Sequence, residues 1–263
     1  MPRPPNIPNR KLSSPVKSAA DGNLVTILLQ QALAIHKQGK FEEAQALYER
    51  ALIMQPNHFD VLQLLGILLT QTKQFTKAID FLTKALQINS NHAACLFYRG
   101  ITLQELGRFE EALVSYDQGI AIKPDNADAC SNRGVILQTL QRFEEALASY
   151  DQAIRINPHY ADAYSNRGNT LKELKRFEEA LASYDQAIRI NSNYVGAYYN
   201  RGVTLQELER FDEALASYNE AIAIEPDFAE AYSNYGIVLK ELKRFEEALV
   251  SFDQAIAIKP DFV

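Results

Sequence analysis

Along most of the chain apolar residues recur at spacings of three and four, the mark of helices with one buried stripe. In the segment 161–194, ADAYSNRGNTLKEL places Tyr164, Gly168 and Leu171 on one face. FEEALASYDQAIRI then places Phe177, Ala180, Leu181, Tyr184, Ala187 and Ile188 on one stripe. The spacing predicts two helices joined by a tight turn at Lys175–Arg176. Proline or serine stops the second helix, at Pro56, Pro124, Pro158, Pro226 and Pro260 and at Ser90 and Ser192. The Asp or Asn that follows is expected to cap the next helix.

The pattern repeats. Gly66, Gly100, Gly134, Gly168, Gly202 and Gly236 follow one another at intervals of 34 residues. Phe75, Phe109, Phe143, Phe177, Phe211 and Phe245 each stand nine residues after a glycine, and an alanine from Ala78 to Ala248 three further on. One more unit, with Ala32, Phe41 and Ala44 in register, extends upstream. Seven units result: 25–58, 59–92, 93–126, 127–160, 161–194, 195–228 and 229–262. The small residues at the eighth and twentieth positions are expected to let the two helices of a unit cross closely. RFEEALASYDQAIRIN occurs at 142–157 and again at 176–191, whereas the first two units have diverged, as a terminal region of an array does.

This pattern resembles the tetratricopeptide repeat, with its 34-residue period and W-x2-L-G-x2-Y, A-x3-F and P signature. Unit 161–194 offers Tyr164, Gly168, Leu171, Ala180 and Tyr184 at those places. The departures are the absence of Trp, Arg before most of the glycines, and Leu82 at the second-helix aromatic. The resemblance implies an all-α fold, an α-solenoid of seven helix-turn-helix repeats in a right-handed superhelix whose first helices line a concave groove.

Composition agrees with a folded, repeat-built chain. Of 263 residues 47% are hydrophobic and 23% charged. Residues 1–20 carry Arg3, Arg10, Lys11 and Lys17 and no acid, so the net charge of −6 leaves −10 on the remainder. That acidity argues against nucleic acid as a partner. Residues 1–23, rich in proline, read as a flexible basic leader, and 24–263 as the array. No apolar run is long enough for a membrane span and no signal peptide is evident, so no membrane partner and a cytoplasmic address are expected. Cys95 and Cys130 read as small buried side chains.

No catalytic, cofactor or metal motif is present. The paired acids Glu110–Glu111, Glu144–Glu145, Glu178–Glu179 and Glu246–Glu247 fall in the first turn of second helices, where negative charge suits the helix dipole. Tyr116, Tyr150, Tyr184 and Tyr218 occupy a packing position. Arg99, Arg133, Arg167 and Arg201, just before the glycine, are expected to cover apolar surface with their stems and pair with an acid of a neighbouring repeat.

One residue earlier stand Asn132, Asn166, Asn200 and Asn234. The resemblance puts this sixth position on the groove. An amide there offers a donor and an acceptor to any peptide backbone, so the four form a candidate binding ladder. Asp128, Asp162 and Glu230, four residues before Asn132, Asn166 and Asn234, would favour peptides with basic or hydroxyl-rich side chains. A groove of lysines for a C-terminal carboxylate is absent: the fifth position holds Ser131, Ser165, Tyr199 and Ser233.

The expected function is therefore a protein-interaction scaffold that takes a peptide or protein segment in its groove and catalyses nothing itself. The alternative is the substrate-recognition arm of a larger transferase, since such arrays resemble the N-terminal part of O-linked N-acetylglucosamine transferases. The last helix keeps Leu249, Phe252, Ile256 and Ile258 in its apolar pattern. Either the chain continues past Val263, or copies are expected to associate end to end through the C-terminal repeat.

Overall fold

The structure is a computed structural model, and it describes residues 19–260. Among these residues there are fourteen α-helices and no strand. They fall into two compact units divided after Asn91. The first contains α1 (Ala19–Lys37), α2 (Phe41–Met54), α3 (Phe59–Gln71) and α4 (Phe75–Ile88). The second contains α5 (Ala93–Glu105), α6 (Phe109–Ile122), α7 (Ala127–Thr139), α8 (Phe143–Ile156), α9 (Ala161–Glu173), α10 (Phe177–Ile190), α11 (Val195–Glu207), α12 (Phe211–Ile224), α13 (Ala229–Glu241) and α14 (Phe245–Ile258). Each 34-residue period is one helix pair, so the seven repeats read from the sequence are the seven helix pairs of the fold. Helix α1 begins at Ala19, upstream of the residue 23 boundary drawn for the leader, and residues 1–18 lie outside the described residues.

The turn inside each repeat explains the abrupt change of direction. After α7 the chain enters the left-handed region at Gln141 (φ 58°), and the N–H groups of Gln141 and Arg142 bond back to Gln138 and Leu137. This closes the helix in the manner that usually recruits glycine. Lys175, Glu209 and Lys243 take the same conformation, and Gly107 serves at the equivalent place after α5.

The close crossing predicted from the small residues is present. A Cβ on Gly168 would come within 2.6 Å of the Tyr184 ring, which is fully buried against it. The paired alanine Ala180 is also fully buried. Cys95 and Cys130 are both buried, as expected.

Three of the four arginines before the glycines are paired with an acid as anticipated. Arg99 is not, since it donates to Ser115 of its own repeat at 2.9 Å and its Nε has no partner among the described residues. Arg133 donates from Nε to Asp117 at 2.6 Å, on the second helix of the preceding repeat, and from Nη1 to Ser149 at 2.6 Å, on the second helix of its own. Arg167 does the same with Asp151 and Ser183, and Arg201 with Asp185 and Ser217. Each of these three guanidinium groups thus stitches two second helices to one first helix. In repeat 229–262 the cation is replaced by Tyr235 and the acid by Asn219.

The capping expectation needs correction. The residue next to the helix, not the Asp or Asn of the stop, takes the N-cap position. Asn126 caps α7 by accepting from the Ala129 N–H at 2.9 Å, and His92 caps α5. Helices α9, α11 and α13 start at Tyr160, Tyr194 and Phe228 with no side-chain cap. Ahead of the stop, the side-chain oxygens of Asn157 and Asn191 close the turn, accepting from the His159 and Asn193 N–H groups.

Candidate functional site

In the second unit each first helix touches the next: α5 with α7, α7 with α9, α9 with α11 and α11 with α13. No two second helices of this unit touch among the described residues. The first helices therefore share one continuous face. Asn132, Asn166, Asn200 and Asn234 recur along it on α7, α9, α11 and α13, all half-buried.

Their surroundings differ. Asn234 donates to the Tyr199 hydroxyl at 3.0 Å. Burial raises the pKa of that hydroxyl and the Asn234 bond opposes the rise. The backbone carbonyls of Asn166 and Asn200 accept from Thr170 and Thr204 one turn on. Their side-chain amides hold no hydrogen bond among the described residues. Asn132 stands in the wall of a cavity between α5 and α7.

The acids one turn back are less available than their sequence suggests. Asp162 accepts from the Tyr194 hydroxyl at 2.8 Å, and Asp128 lies beside the Tyr160 hydroxyl. Burial, reinforced by these carboxylates, pushes both tyrosines up to about 12. Glu230 pairs with Lys259 Nζ at 3.1 Å. Its own backbone N–H and that lysine hold the carboxyl below the usual carboxylate range. Asp128 and Asp162 stay exposed on the shared face, whereas the charge of Glu230 is offset.

The paired acids serve the scaffold. Glu111, Glu145, Glu179, Glu213 and Glu247 each form a two-pronged bridge at about 2.7 Å to the arginine three residues before, from Arg108 to Arg244. No group of three or more His, Cys, Asp or Glu side chains suited to a metal ion occurs among the described residues.

A column of rings, not evident from the helical pattern of the sequence, also lines this face. The last residue of repeats 127–160, 161–194 and 195–228 is Tyr160, Tyr194 or Phe228, and each sits where one first helix meets the next. Tyr160 packs on Cys130, Ala153 and Ala163. Phe228 meets the Tyr199 ring at 4.9 Å between centroids. The 34-residue register would have exposed this column, but its place beside the proline or serine stop made it look like loop.

At the other end of the unit, α14 leaves Phe245, Leu249, Val250 and Ile256 more than half exposed. At the places equivalent to Leu249, Leu147, Leu181 and Leu215 are buried. Phe252 and Ile258 are half-buried, and Val263 lies outside the described residues.

Comparison with known proteins places these features in a family. A family model described as TPR repeat matches residues 104–141, 139–175 and 168–209, and two models described as tetratricopeptide repeat match 195–228 and 229–262. A model described as anaphase-promoting complex, cyclosome, subunit 3 matches residues 37–119. Among solved structures, a tetratricopeptide repeat protein from Parabacteroides merdae is similar over 92% of this chain and 95% of its own, with a TM-score of 0.69 and 19% identity. Pseudomonas aeruginosa pilF is similar over 84% of this chain and 99% of its own, with a TM-score of 0.68 and 18% identity. YrrB, described as a TPR protein with an unusual peptide-binding site, is similar over 69% of this chain and 93% of its own, with a TM-score of 0.58 and 26% identity. With seven helix pairs in a 34-residue frame and repeat models matching from residue 104 to 262, the chain belongs to the tetratricopeptide repeat family.

Proposed function

We propose that the chain is a protein-interaction scaffold without catalysis of its own, and that the first-helix face of the second unit binds an extended segment of a partner protein. The observation that carries this reading is the recurrence of asparagine on successive first helices, with the Asn166 and Asn200 side-chain amides unengaged. An amide ladder bonds to the N–H and C=O groups every peptide has, so it grips an extended chain with little demand on sequence. Asp128 and Asp162 bias that face toward basic or hydroxyl-bearing side chains. The description of YrrB as peptide-binding supports the same use of the fold.

The test is a peptide library selected on the wild-type chain, followed by Asn132, Asn166, Asn200 and Asn234 replaced together by Ala. Helicity stays intact because alanine is the better helix former. Each hydrogen bond lost is worth roughly 0.5–1.5 kcal/mol, so together they weaken the selected peptides by at least about thirtyfold. Unchanged affinity in the substituted protein removes the ladder from the reading.

The exposed stripe of α14 favours a second contact, with another copy of the chain seated on Leu249, Val250 and Ile256. Light scattering at rising concentration reads it: association that Leu249→Glu abolishes supports the contact, and a monomer at all concentrations discards it.

A further inference from the structure

The junctions between first helices are plugged by the chain's own rings at three places and not at the fourth. Tyr160 reaches Asp128 and Ser131 between α7 and α9, and Tyr194 reaches Asp162 between α9 and α11. Between α11 and α13, Phe228 lies against Tyr199. The corresponding residue between α5 and α7 is Asn126, whose side chain is turned to the Ala129 N–H as a helix cap. A cavity of about 210 Å³ lies at this junction. An apolar cavity of about 150 Å³ is enough to hold benzene.

The walls are specific. Ala94, Phe97, Ile101 and Ala129 are apolar, and Asn132 and Asp128 bring an amide and a carboxylate. Phe97 is seated deeply because Gly119 faces it: a Cβ there would come within 2.4 Å of the Phe97 ring. Phe97 holds the fifth position of its repeat, as Tyr199 does, and Tyr199 is the residue that receives Phe228. Tyr116 also lines this cavity. Its side chain is fully buried, and its hydroxyl makes no close hydrogen bond, with the Asn132 side chain beside it. The equivalent hydroxyls of Tyr150, Tyr184 and Tyr218 donate to Gln138, Asn169 and Gln206. A buried hydroxyl without a partner is costly, and an occupant with a polar tip relieves it.

We propose that the cavity between α5 and α7 is a side-chain pocket for a tyrosine of a bound peptide, its ring against Phe97 and its hydroxyl paired with Tyr116 or Asn132. The ligand would supply the ring that the chain itself supplies at the other three junctions. This rests on the reading of the first-helix face as a peptide site, and it gives that site a preferred anchor. A basic side chain suits Asp128 but not the apolar walls, and no equivalent junction is filled by one.

The probe is p-cresol, the tyrosine side chain alone, titrated into the full isotope-labelled chain while backbone amide shifts are followed. Saturable shifts are expected at Ala94, Phe97, Ala129 and Asn132, with weak, millimolar-range affinity. Asn126→Tyr supplies the missing ring from within and lowers that affinity at least tenfold. Helices α9, α11 and α13 begin without a side-chain cap, so α7 tolerates the change. Ala94→Phe, at an exposed position, closes the mouth by a separate route and gives the same loss. Tyr116→Phe weakens binding about two- to tenfold. n-Butylguanidine binds at least tenfold more weakly than p-cresol. The proposal is overturned if p-cresol gives no saturable shifts there, if Asn126→Tyr and Ala94→Phe bind it like wild type, or if n-butylguanidine binds more tightly. Failure of p-cresol while selected peptides still depend on the asparagines removes the pocket and leaves the ladder. The reverse result removes the ladder and leaves the pocket.

Discussion

The two units solve one packing problem with different chemistry. In three repeats of the second, the residue before the repeat glycine is an arginine held by Asp117 and Ser149, Asp151 and Ser183, or Asp185 and Ser217. In the first, the same three places around α3 carry Glu49, Leu65 and Phe81. Leu65 is fully buried with Val61, Leu68 and Leu69, and Phe81 packs against that cluster. Among the described residues every ion pair belongs to the second unit. The 34-residue frame therefore fixes where the helices go without fixing what joins them. Apolar stitching draws its strength from burial, whereas a half-exposed arginine clamp chiefly fixes register and adds little net stability.

The sharpest way to break the comparison is to put the second unit's residue into the first. Leu65→Arg buries a cation beside Val61, Leu68 and Phe81. Glu49 is the nearest counterpart in register, but it accepts from Gln45. An uncompensated buried charge costs about 3–5 kcal/mol. In a repeat array the loss stays local. Amide exchange should show α1–α4 losing protection while α8–α12 keep theirs. Retained protection in α3 would mean that the Leu65 site admits a solvated guanidinium after all.

The next largest effect concerns the helix crossings. Gly66 faces Leu82, and Gly168 faces the buried Tyr184 ring. An added methyl would come within 2.7 Å and 2.6 Å of these side chains respectively. Alanine gains about 1 kcal/mol in helix propensity at either site. Against that gain, overpacking costs about 1–3 kcal/mol, with more at a planar ring that has no room to turn. Gly168→Ala should therefore destabilise its unit by roughly 1 kcal/mol more than Gly66→Ala destabilises its own, read by urea unfolding. Equal costs would show that the tyrosine adapts as freely as the leucine.

Legibility in the sequence follows the same division. The 34-residue period located every helix pair, and the small residues at the eighth and twentieth positions marked where the helices cross, because both rest on strict local geometry. That each repeat glycine faces the side chain sixteen residues on, as Gly168 faces Tyr184, is visible only in the structure. The arginines were readable as paired, yet their partners lie 16 residues away in both directions on two second helices, a relation visible only once the repeats are stacked. The ring column Tyr160, Tyr194 and Phe228 was missed for a different reason. These residues lie beside a proline or serine stop, where sequence reasoning looks for caps, and ahead of Tyr160 and Tyr194 the asparagine before the stop, not the residue after it, closes the turn. For the candidate site, the asparagine column was legible as a face. The engagement of Glu230 by Lys259 and of Asp162 by Tyr194 was not, since each links residues about one repeat apart.

A smaller effect is expected from the exchange in the opposite direction. Arg167→Leu transplants the first unit's solution into the second. It removes bonds to Asp151 and Ser183, but Asp151 is 44% exposed and returns to water. Replacing such a pair by an apolar residue is often neutral, so thermal unfolding should move by no more than about 1 kcal/mol in either direction. A loss of several kcal/mol would mean that the clamps hold the second unit together and do more than set register.

The smallest expected effect is acid sensitivity confined to the second unit. Hydrogen bonds from Arg108, Arg142, Arg176, Arg210 and Arg244 hold the carboxyls of Glu111, Glu145, Glu179, Glu213 and Glu247 below the usual range. A carboxyl whose folded pKa is depressed adds stability above its unfolded pKa, near 4.3 for glutamate, and that stability disappears as pH falls through the folded value. The bridges are solvent-exposed, so screening keeps the contribution small. Amide exchange corrected for its intrinsic pH dependence, followed from pH 5.5 to pH 3, should show α6, α8, α10, α12 and α14 losing protection at their first turns. Helix α4 is the internal control, because its first turn contains no acid. Raising the salt at pH 5.5 should reproduce part of the loss in the second unit and leave α4 unchanged. If α4 loses protection in step with α8 and α10, acid acts on the packing of both units alike, and the arginine–glutamate bridges do not distinguish them.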